Sequence, residues 1–207
     1  MLTVAVLASG NGSNLVAIHN AIRTNQLDAR ISLVLSNNSH SGALQFARDN
    51  DIKAIHLSSK SVPDETLFAE MMLTQLSDAS TDFIALAGYM KLLPNQIVKA
   101  YKNRITNIHP ALLPKFGGEG MFGMHVHRAV IEQGEKISGA TVHMVDELYD
   151  NGFIVMQKQI PVLPDDDPES LARRVLEVEH EIYPKALQLF AENRVIIADN
   201  RLTIAPS

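Results

Sequence analysis

Short apolar runs alternate with amphipathic stretches along the first half of the chain. The apolar runs predict buried strands, whereas the stretches between them repeat apolar residues with the period of a helix. The predicted strands are residues 2–8, 31–35, 52–57, 83–87 and 105–109, and the predicted helices are residues 15–24, 42–50, 64–76 and a segment from 93 onward. This alternation predicts an α/β fold with a doubly wound, mostly parallel, Rossmann-like sheet.

The pattern changes after residue 110. A glycine-rich segment at 117–123 leads into a predicted helix at 126–133, and predicted strands at 139–145 and 152–160 follow. The loop between these two strands has only about six residues, which is too short for a parallel crossover, so we expect an antiparallel addition to the sheet. A long helix at 168–192 and a hairpin of residues 195–197 and 202–204 are predicted to end the chain.

We expect one domain over residues 1–207, with halves at 1–110 and 111–207, because no linker, repeat or low-complexity segment separates the predicted elements. Hydrophobic residues form 46% of the chain, which is enough for a sizeable core. The sequence leaves the choice between a monomer and a homodimer open.

Composition narrows the class of partner. The formal net charge is −5 and the 18 Lys and Arg residues are scattered, so small-molecule substrates are favoured over nucleic acid. Cysteine is absent, which excludes disulfides and thiolate metal sites and fits a reducing cytoplasm. No apolar run approaches the roughly 18 residues of a membrane span, and the start Met1-Leu2-Thr3 lacks the basic residues of a signal peptide.

The predicted strand at 105–109 ends in polar chemistry. Asn107 and His109 are two residues apart, so their side chains point to the same face. Pro110 cannot donate to a sheet ladder, so strand pairing should end there. An amide and an imidazole would then lie at the carboxyl end of a strand, which is where open α/β sheets bind ligands.

A glycine-rich turn follows the first predicted strand. Gly10 and Gly12 permit unusual backbone angles and close approach, and Ser13 and Asn14 can cap a helix and donate hydrogen bonds. A strand, a glycine-rich turn and a helix gather N–H groups suited to a phosphate monoester. An ordinary tight turn with a helix cap is the alternative, because the segment is neither a dinucleotide fingerprint nor a Walker loop.

An acidic loop lies between the two strands of the antiparallel addition. It contains the carboxylates of Asp146, Glu147 and Asp150, and its Asp-Asn-Gly ending also suits an ordinary solvated turn. If one carboxylate faces His109, it would orient the imidazole, favour its protonated form and relay a proton. An amide, an imidazole and a carboxylate without a Ser or Cys nucleophile suggest that the substrate's own nucleophile attacks a carbonyl, with the oxyanion stabilised by Asn107 and the imidazolium.

Other histidines are expected to be surface or structural residues. The pair His125-x-His127 could suggest a metal site, but two histidines without a nearby third ligand are weak support, so loop packing or substrate gating is favoured. Those expected to be surface or structural are His19, His40, His56 and His180.

Five motifs occur in a fixed order along nearly the whole chain. They are Gly10-Asn-Gly-Ser-Asn14, Ala87-Gly-Tyr-Met90, Asn107-Ile-His-Pro-Ala-Leu-Leu-Pro114, Gly139-Ala-Thr-Val-His143 and Glu179-His-Glu-Ile-Tyr-Pro184. In this arrangement the chain resembles the folate-dependent formyltransferase family, and within it the glycinamide ribonucleotide branch, which serves purine biosynthesis and one-carbon metabolism.

The resemblance implies a role for each matching residue. The implied reaction is direct formyl transfer from 10-formyltetrahydrofolate, as co-substrate, to the amine of 5′-phosphoribosylglycinamide, without a metal. The implied residues are Asn107, His109 and Asp150 for catalysis, Gly12, Ser13 and Asn14 for the phosphate, Glu179 for the ribose, and Met90, Lys91, Leu92, Leu93, Val145, Asp146 and Asp150 for the folate.

The chain departs from the family pattern at several positions. Ala111 replaces a usual serine, and Leu176 replaces a residue that is often polar. The segment 115–127 is longer than the commonest version. No arginine lies near residues 63–65 for the folate's glutamate tail, where Lys60 is a candidate substitute.

Two alternative functions stay open. A formyltetrahydrofolate deformylase would use water as the acceptor, but normally carries an N-terminal regulatory domain. A non-catalytic nucleotide-binding sensor of the same fold would not need Asn107, His109 and Asp150. A methionyl-tRNA formyltransferase is disfavoured, because the chain shows neither a C-terminal RNA-binding domain nor a basic surface.

Overall fold

The computed structural model describes residues 1–206 and contains the predicted elements, with small shifts at their ends. The chain divides into two units, Met1–Thr106 and a second unit that begins at Asn107. The first unit contains β1 (Leu2–Leu7), α1 (Ser13–Arg23), β2 (Ala29–Ser36), α2 (Gly42–Asp49), β3 (Ala54–His56), α3 (Glu65–Asp78), β4 (Phe83–Leu86) and α4 (Asn95–Ala100). Strand β5 (Ile105–His109) spans the boundary, and then follow α5 (Met124–Glu132), β6 (Ile137–Met144), β7 (Ile154–Pro161), α6 (Pro168–Ala191), β8 (Val195–Ala198) and β9 (Arg201–Ile204).

The strands confirm the predicted α/β fold class. Seven of them form one mixed sheet in the order β3-β2-β1-β4-β5-β6-β7. β1 pairs in parallel with β2 and β4, and β2 pairs in parallel with β3. In the first unit the strand order therefore reverses beside β1, and in such sheets ligands bind at the carboxyl ends of the strands at the reversal.

The core of the first unit forms around β1. Residues 4–7 of this strand are completely buried, as a nearly continuous apolar run requires when both faces of a parallel strand are covered. α1 contributes Leu15, Ile18 and Ala21, whose spacing places them on one face of the helix. The glycine-rich turn between β1 and α1 is consequently held at both ends by buried structure.

Two predicted boundaries differ from the structure for identifiable reasons. β3 covers only Ala54–His56, because the N–H of Ile52 donates to the carbonyl of Ala47 at the end of α2 instead of to the sheet. Pro94 was expected in the first turn of α4, but it is the N-cap residue and adopts extended backbone angles. The carbonyl of Pro94 accepts hydrogen bonds from the N–H groups of Ile97 and Val98 in the first turn of α4.

The second unit contains the antiparallel addition that the sequence predicts. β6 and β7 pair antiparallel, with Gly139 opposite Gln159. β8 and β9 form the predicted hairpin, and its two turn residues, Asp199 and Asn200, both have positive φ angles, as a two-residue turn of the primed type requires. That residues 1–207 fold as one domain stays a prediction. Within residues 1–206, every helix is too short or too polar to cross a bilayer.

Replacing Gly139 with alanine should destabilise the β6–β7 pair. An added Cβ would lie 2.1 Å from the carbonyl oxygen of Lys158, so one strand must shift. We expect Gly139→Ala to lower the free energy of unfolding by about 3 kcal/mol, measured by urea denaturation. Ser138→Ala is the matched control, because its buried hydroxyl has no hydrogen-bond partner within residues 1–206 and its removal should cost little. Equal stability of the two variants would contradict the prediction.

Candidate functional site

The end of β5 presents two polar side chains on one face of the strand. Asn107 and His109 are two residues apart, and the strand ends directly before Pro110, which has no N–H for a ladder. His109 is only 3% exposed, whereas Asn107 is half-buried. The imidazole is therefore held inside the second unit, where its neighbours decide its protonation.

The carboxylate of Asp150 lies at the centre of the site. Its Oδ2 is 3.5 Å from Nδ1 of His109 and accepts a 3.0 Å hydrogen bond from the N–H of Gly118. Its Oδ1 is 3.4 Å from Nε2 of His143 and 3.5 Å from Nδ2 of Asn107. The structure thus brings together the amide, the imidazole and the carboxylate that the resemblance implies, while their catalytic roles stay predictions.

Backbone geometry aims Asp150 at its partners. Its φ angle is +49°, a left-handed conformation that aspartate tolerates better than most residues. Gly152 follows, and a Cβ there would lie 1.9 Å from the carbonyl oxygen of Met144, so only glycine fits. The Asp-Asn-Gly sequence is therefore more than a solvated turn, because it returns a carboxylate to the interior.

The other acidic candidates in this loop do not take the place of Asp150. Asp146 accepts hydrogen bonds from the N–H of Leu148 at 2.8 Å and from Nδ2 of Asn151 at 3.2 Å, so it stabilises the loop. Glu147 is exposed. Val145 and Asp146, the predicted folate contacts, are both half-buried.

His143, which ends one of the five sequence motifs and had no predicted role, is a further member of the site. Its Nε2 lies 3.1 Å from Nδ2 of Asn107, and its Nδ1 lies 2.8 Å from the carbonyl oxygen of Met144. The side chain is 2% exposed at the end of β6. The available signal was a histidine within an otherwise apolar strand, ending beside the acidic loop, just as His109 ends β5.

Backbone carbonyls fix the tautomers of the two buried histidines. A carbonyl oxygen only accepts, so the 2.7 Å contact between Phe116 and His109 places a proton on Nε2 of His109 and leaves the lone pair of neutral His109 on Nδ1. By the same argument Met144 places a proton on Nδ1 of His143. Nε2 of His143 then accepts from the amide of Asn107.

Burial controls the protonation of His109. Desolvation lowers the pKa of this imidazole, while Asp150 and the Phe116 carbonyl raise it and His143 lowers it, with a net lowering below the usual value. Asp150 does favour the imidazolium form, as expected, but burial outweighs its effect. The free-energy cost of removing the protonated ring from water is larger here than the stabilisation that the carboxylate provides.

Asp150 shows the opposite balance. Burial, the largest single effect, would raise the pKa of this carboxyl group. The nearby side chain of His143, the charge that His109 carries when protonated and the N–H of Gly118 together outweigh it, so the pKa of Asp150 lies below its usual value. The cluster therefore combines an ionised carboxylate with an imidazole that is largely neutral.

The predicted phosphate loop has the expected unusual backbone angle at Gly12, but the expectation that Ser13 or Asn14 caps the helix is wrong, because both residues lie inside α1. Gly12 is the N-cap of α1 with a φ angle of +79° and supplies no capping side chain. The helix begins at Ser13, two residues earlier than predicted, and Asn14 is buried in its first turn. A Cβ on Gly12 would lie 2.9 Å from Cα of Ala43, so this glycine allows α2 to pack against the loop.

The hydroxyl of Ser9 connects this loop to the segment that follows β4. It donates to Oδ1 of Asn37 at 2.6 Å and accepts from the N–H of Met90 at 2.8 Å. The N–H of Ser9 also donates to the carbonyl of Gly88 at 3.0 Å. These bonds lie at the ends of β1 and β4, where the strand order reverses.

A cavity of about 330 Å³ in the first unit adjoins the predicted folate residues. Lys91, Leu92 and Leu93 line it, together with Tyr89 and Glu65. The cation on the cavity wall is therefore Lys91, and Lys60, the suggested substitute for an arginine, is not among the lining residues within the described chain.

The four predicted folate residues after β4 differ in exposure. Met90 and Leu92 are 47% and 50% exposed, whereas Leu93 is buried. Burial also raises the pKa of the neighbouring Tyr89 to about 12, so its phenol is neutral.

The remaining predicted site residues lie on the helices of the second unit. Glu179, the predicted ribose ligand, is buried on α6. His125 packs edge-on against the ring of Phe122 with ring centroids 5.3 Å apart, whereas His127 is buried in α5. Within residues 1–206, no group of three or more His, Asp or Glu side chains is arranged to hold a metal ion.

Comparison with known proteins defines the class to which this fold and sequence belong. A profile described as Formyl transferase matches residues 2–187, and the chain belongs to that family. Phosphoribosylglycinamide formyltransferase from Escherichia coli (strain K12) is 33% identical over 199 residues, which cover 96% of this chain and 92% of the bacterial protein. Among formyl transferases, the chain therefore falls in the phosphoribosylglycinamide formyltransferase group.

A plant relative and a solved structure agree with this placement. The chloroplastic phosphoribosylglycinamide formyltransferase of Vigna unguiculata is 41% identical over 193 residues, covering 93% of this chain but only 62% of the plant protein, less than two thirds of its length. The crystal structure of glycinamide ribonucleotide transformylase 1 from Symbiobacterium toebii has a TM-score of 0.93 at 38% identity, covering 100% of this chain and 95% of that one. A formyltetrahydrofolate deformylase from Pseudomonas syringae pv. tomato is a weaker neighbour, with a TM-score of 0.89 at 27% identity, covering 99% of this chain and 66% of that one.

The buried imidazole of His127 should make stability depend on pH. Burial, with a smaller contribution from His109, lowers the pKa of His127 to about 4 from 6.5. Between these values the unfolded chain binds more protons, so the free energy of unfolding should fall as pH decreases from 6.5 towards 4. We expect His127→Gln to flatten this dependence by up to about 1.4 kcal/mol per pH unit, measured by urea denaturation. His40→Gln, at an exposed loop position, is the control, and identical slopes for both variants would contradict the assignment.

Proposed function

We propose that this chain transfers the formyl group of 10-formyltetrahydrofolate to the amine of 5′-phosphoribosylglycinamide, giving the formylated ribonucleotide and tetrahydrofolate in purine biosynthesis. The observation that carries the proposal is the cluster of Asn107, His109 and Asp150, in which one carboxylate contacts both the amide and the imidazole. Membership of the phosphoribosylglycinamide formyltransferase group supports the choice of substrates.

In the first step the substrate amine attacks the formyl carbon. A carbon–nitrogen bond forms while the carbonyl π pair moves to the oxygen, which becomes an oxyanion. Nδ2 of Asn107 carries two N–H groups, and one of them donates to His143. The contact of Nδ2 with Oδ1 of Asp150 is long, at 3.5 Å, so the second N–H can turn to the oxyanion. A hydrogen-bond donor directed at the oxyanion stabilises the developing charge strongly in a buried site.

His109 accepts the proton that the attacking amine must lose. The lone pair on Nδ1 is the basic position, and the imidazole is largely neutral before the reaction. Once protonated, the ring is an imidazolium 3.5 Å from the Asp150 carboxylate, which stabilises it. Collapse of the tetrahedral intermediate then breaks the bond to the folate nitrogen, and the imidazolium returns the proton to that nitrogen, directly or through Asp150 and water.

The binding roles complete the proposal. Gly12, Ser13 and Asn14 would bind the phosphate with backbone N–H groups at the start of α1, where a helix end favours an anion. Glu179 would accept hydrogen bonds from the ribose hydroxyls. The segments Met90–Leu93 and Val145–Asp150 would bind the folate, and the cavity lined by Lys91, Leu92 and Leu93 supports the first of these. A cytoplasmic location and the choice between a monomer and a homodimer stay predictions.

Hydrolysis of the formyl group is the second candidate, favoured by the likeness to a deformylase. The two reactions are separated by following tetrahydrofolate release with and without 5′-phosphoribosylglycinamide. Release that requires the amine supports the proposal, whereas release at the same rate without it would establish a deformylase. No release under either condition would leave a non-catalytic sensor as the better explanation.

Replacing His109 with alanine should remove the proton acceptor. We expect His109→Ala to lower kcat by about 10³-fold, because general bases contribute factors of about 10²–10⁴. His40→Ala, an exposed loop histidine, should retain native turnover. Near-native turnover in a folded His109→Ala protein, checked by circular dichroism, would show that the imidazole does not act in the reaction.

Replacing Asp150 with asparagine should change the pH profile as well as the rate. The carboxylate raises the pKa of His109 against the effect of burial, so its loss should lower that pKa further. We expect Asp150→Asn to reduce kcat and to move the acidic limb of its pH profile to lower pH, because His109 stays neutral to a lower pH. Asp146→Asn should leave the profile in place. A shift in Asp146→Asn but not in Asp150→Asn would reverse the assignment.

A further inference from the structure

The glycine-rich segment after Lys115 contacts the catalytic pair through its backbone. The carbonyl of Phe116 lies 2.7 Å from Nε2 of His109, and the N–H of Gly118 lies 3.0 Å from Oδ2 of Asp150. Phe116 itself has a φ angle of +58°. This left-handed angle is uncommon for a bulky residue, and such strain persists only where surrounding contacts impose it.

In one of these contacts the backbone accepts a hydrogen bond, and in the other it donates one. A carbonyl oxygen accepts only, so it requires a proton on Nε2 of His109. A backbone N–H donates only, so it favours a deprotonated oxygen on Asp150. Together they leave the basic Nδ1 of neutral His109 facing an ionised carboxylate 3.5 Å away.

Gly117, between the two contacting residues, has no room for a side chain. A Cβ there would lie 2.6 Å from Cδ2 of Leu113 and 3.2 Å from Cβ of Asp150. Leu113 is buried, so its side chain has limited space to move. The backbone angles of Gly117 do not lie in the left-handed region, so alanine at this position would act through contact with Asp150 and Leu113, not through backbone strain.

We propose that residues 116–118 are a positioning element of the active site, which selects the Nε2-protonated tautomer of His109 and holds Asp150 towards Nδ1. Gly117 is the residue that allows this backbone to approach so closely. The proposal rests on the proposed formyl transfer and assigns a role to the enlarged glycine-rich segment. An inhibitory role, in which the Phe116 carbonyl blocks His109, makes the opposite prediction for loosening the contact.

The kinetic test compares two glycine substitutions in the same segment. Gly117→Ala adds a methyl against Asp150, whereas Gly120→Ala adds backbone strain at a φ angle of +83° with no atom within 4 Å of the new Cβ. We expect Gly117→Ala to lower kcat by about 10–100-fold with little change in KM and to shift the acidic limb of the pH profile, because misplacement by about 1 Å can cost a factor of 10². Gly120→Ala should stay within about twofold of the native kcat.

Three kinetic outcomes would overturn the proposal. They are a native pH profile and kcat in Gly117→Ala, equal loss in both variants, and a higher kcat in Gly117→Ala, the last of which would establish inhibition. Thermal unfolding of both proteins checks that each is folded under the assay conditions.

A second measurement is independent of activity. Long-range proton–nitrogen NMR spectra of the unliganded protein report the tautomer of each histidine, and His109→Gln identifies the His109 signals by their loss. We expect neutral His109 to carry its proton on Nε2, with His143 as an internal reference of the opposite tautomer because its Nδ1 faces the carbonyl of Met144. Gly117→Ala should mix the two forms of His109.

The two measurements separate failure of this proposal from failure of the proposed function. The expected tautomer without formyl transfer would uphold the positioning geometry and refute the function. Formyl transfer by a protein whose neutral His109 is protonated on Nδ1 would uphold the function and overturn the positioning role.

Discussion

The second unit is organised around a buried carboxylate that must be compensated. Asp150 is only 11% exposed at its side chain, and an uncompensated carboxylate in such a place would cost several kcal/mol. Its two oxygens contact His109, His143, Asn107 and the N–H of Gly118. The ends of β5 and β6 and the glycine-rich segment therefore depend on the acidic loop, because they supply the groups that surround the carboxylate of this loop.

Backbone carbonyls decide which ring nitrogen carries the proton in the two buried histidines of this cluster. The carbonyls of Phe116 and Met144 place protons on opposite ring nitrogens of His109 and His143. Glycines 117 and 152 allow the backbone to pass where a Cβ would collide. The proposed chemistry thus depends on the path of the main chain, which explains why glycines lie so close to Asp150.

In the first unit, a few polar groups at the ends of β1 and β4 connect the two predicted binding segments. Gly12, with a φ angle of +79°, is the N-cap of α1 and supplies no capping side chain. The hydroxyl of Ser9 bridges Asn37 and Met90 and so helps to fix the spacing between the predicted phosphate loop and the predicted folate segment. A rigid arrangement of this kind preorganises ligand contacts without placing charge in the core.

The sequence by itself determined the α/β alternation, the antiparallel addition and the pairing of Asn107 with His109 on one face, since all three follow from local periodicity and loop length. It also supplied Asp150, though only through a resemblance to a family. Only the tertiary structure shows that Asp150 contacts the imidazole while Asp146 hydrogen-bonds within its loop, that His143 joins the cluster and that burial lowers the pKa of His109. Those facts depend on burial and on contacts between distant segments, such as that of Asn107 with His143, 36 positions away, which no local pattern encodes.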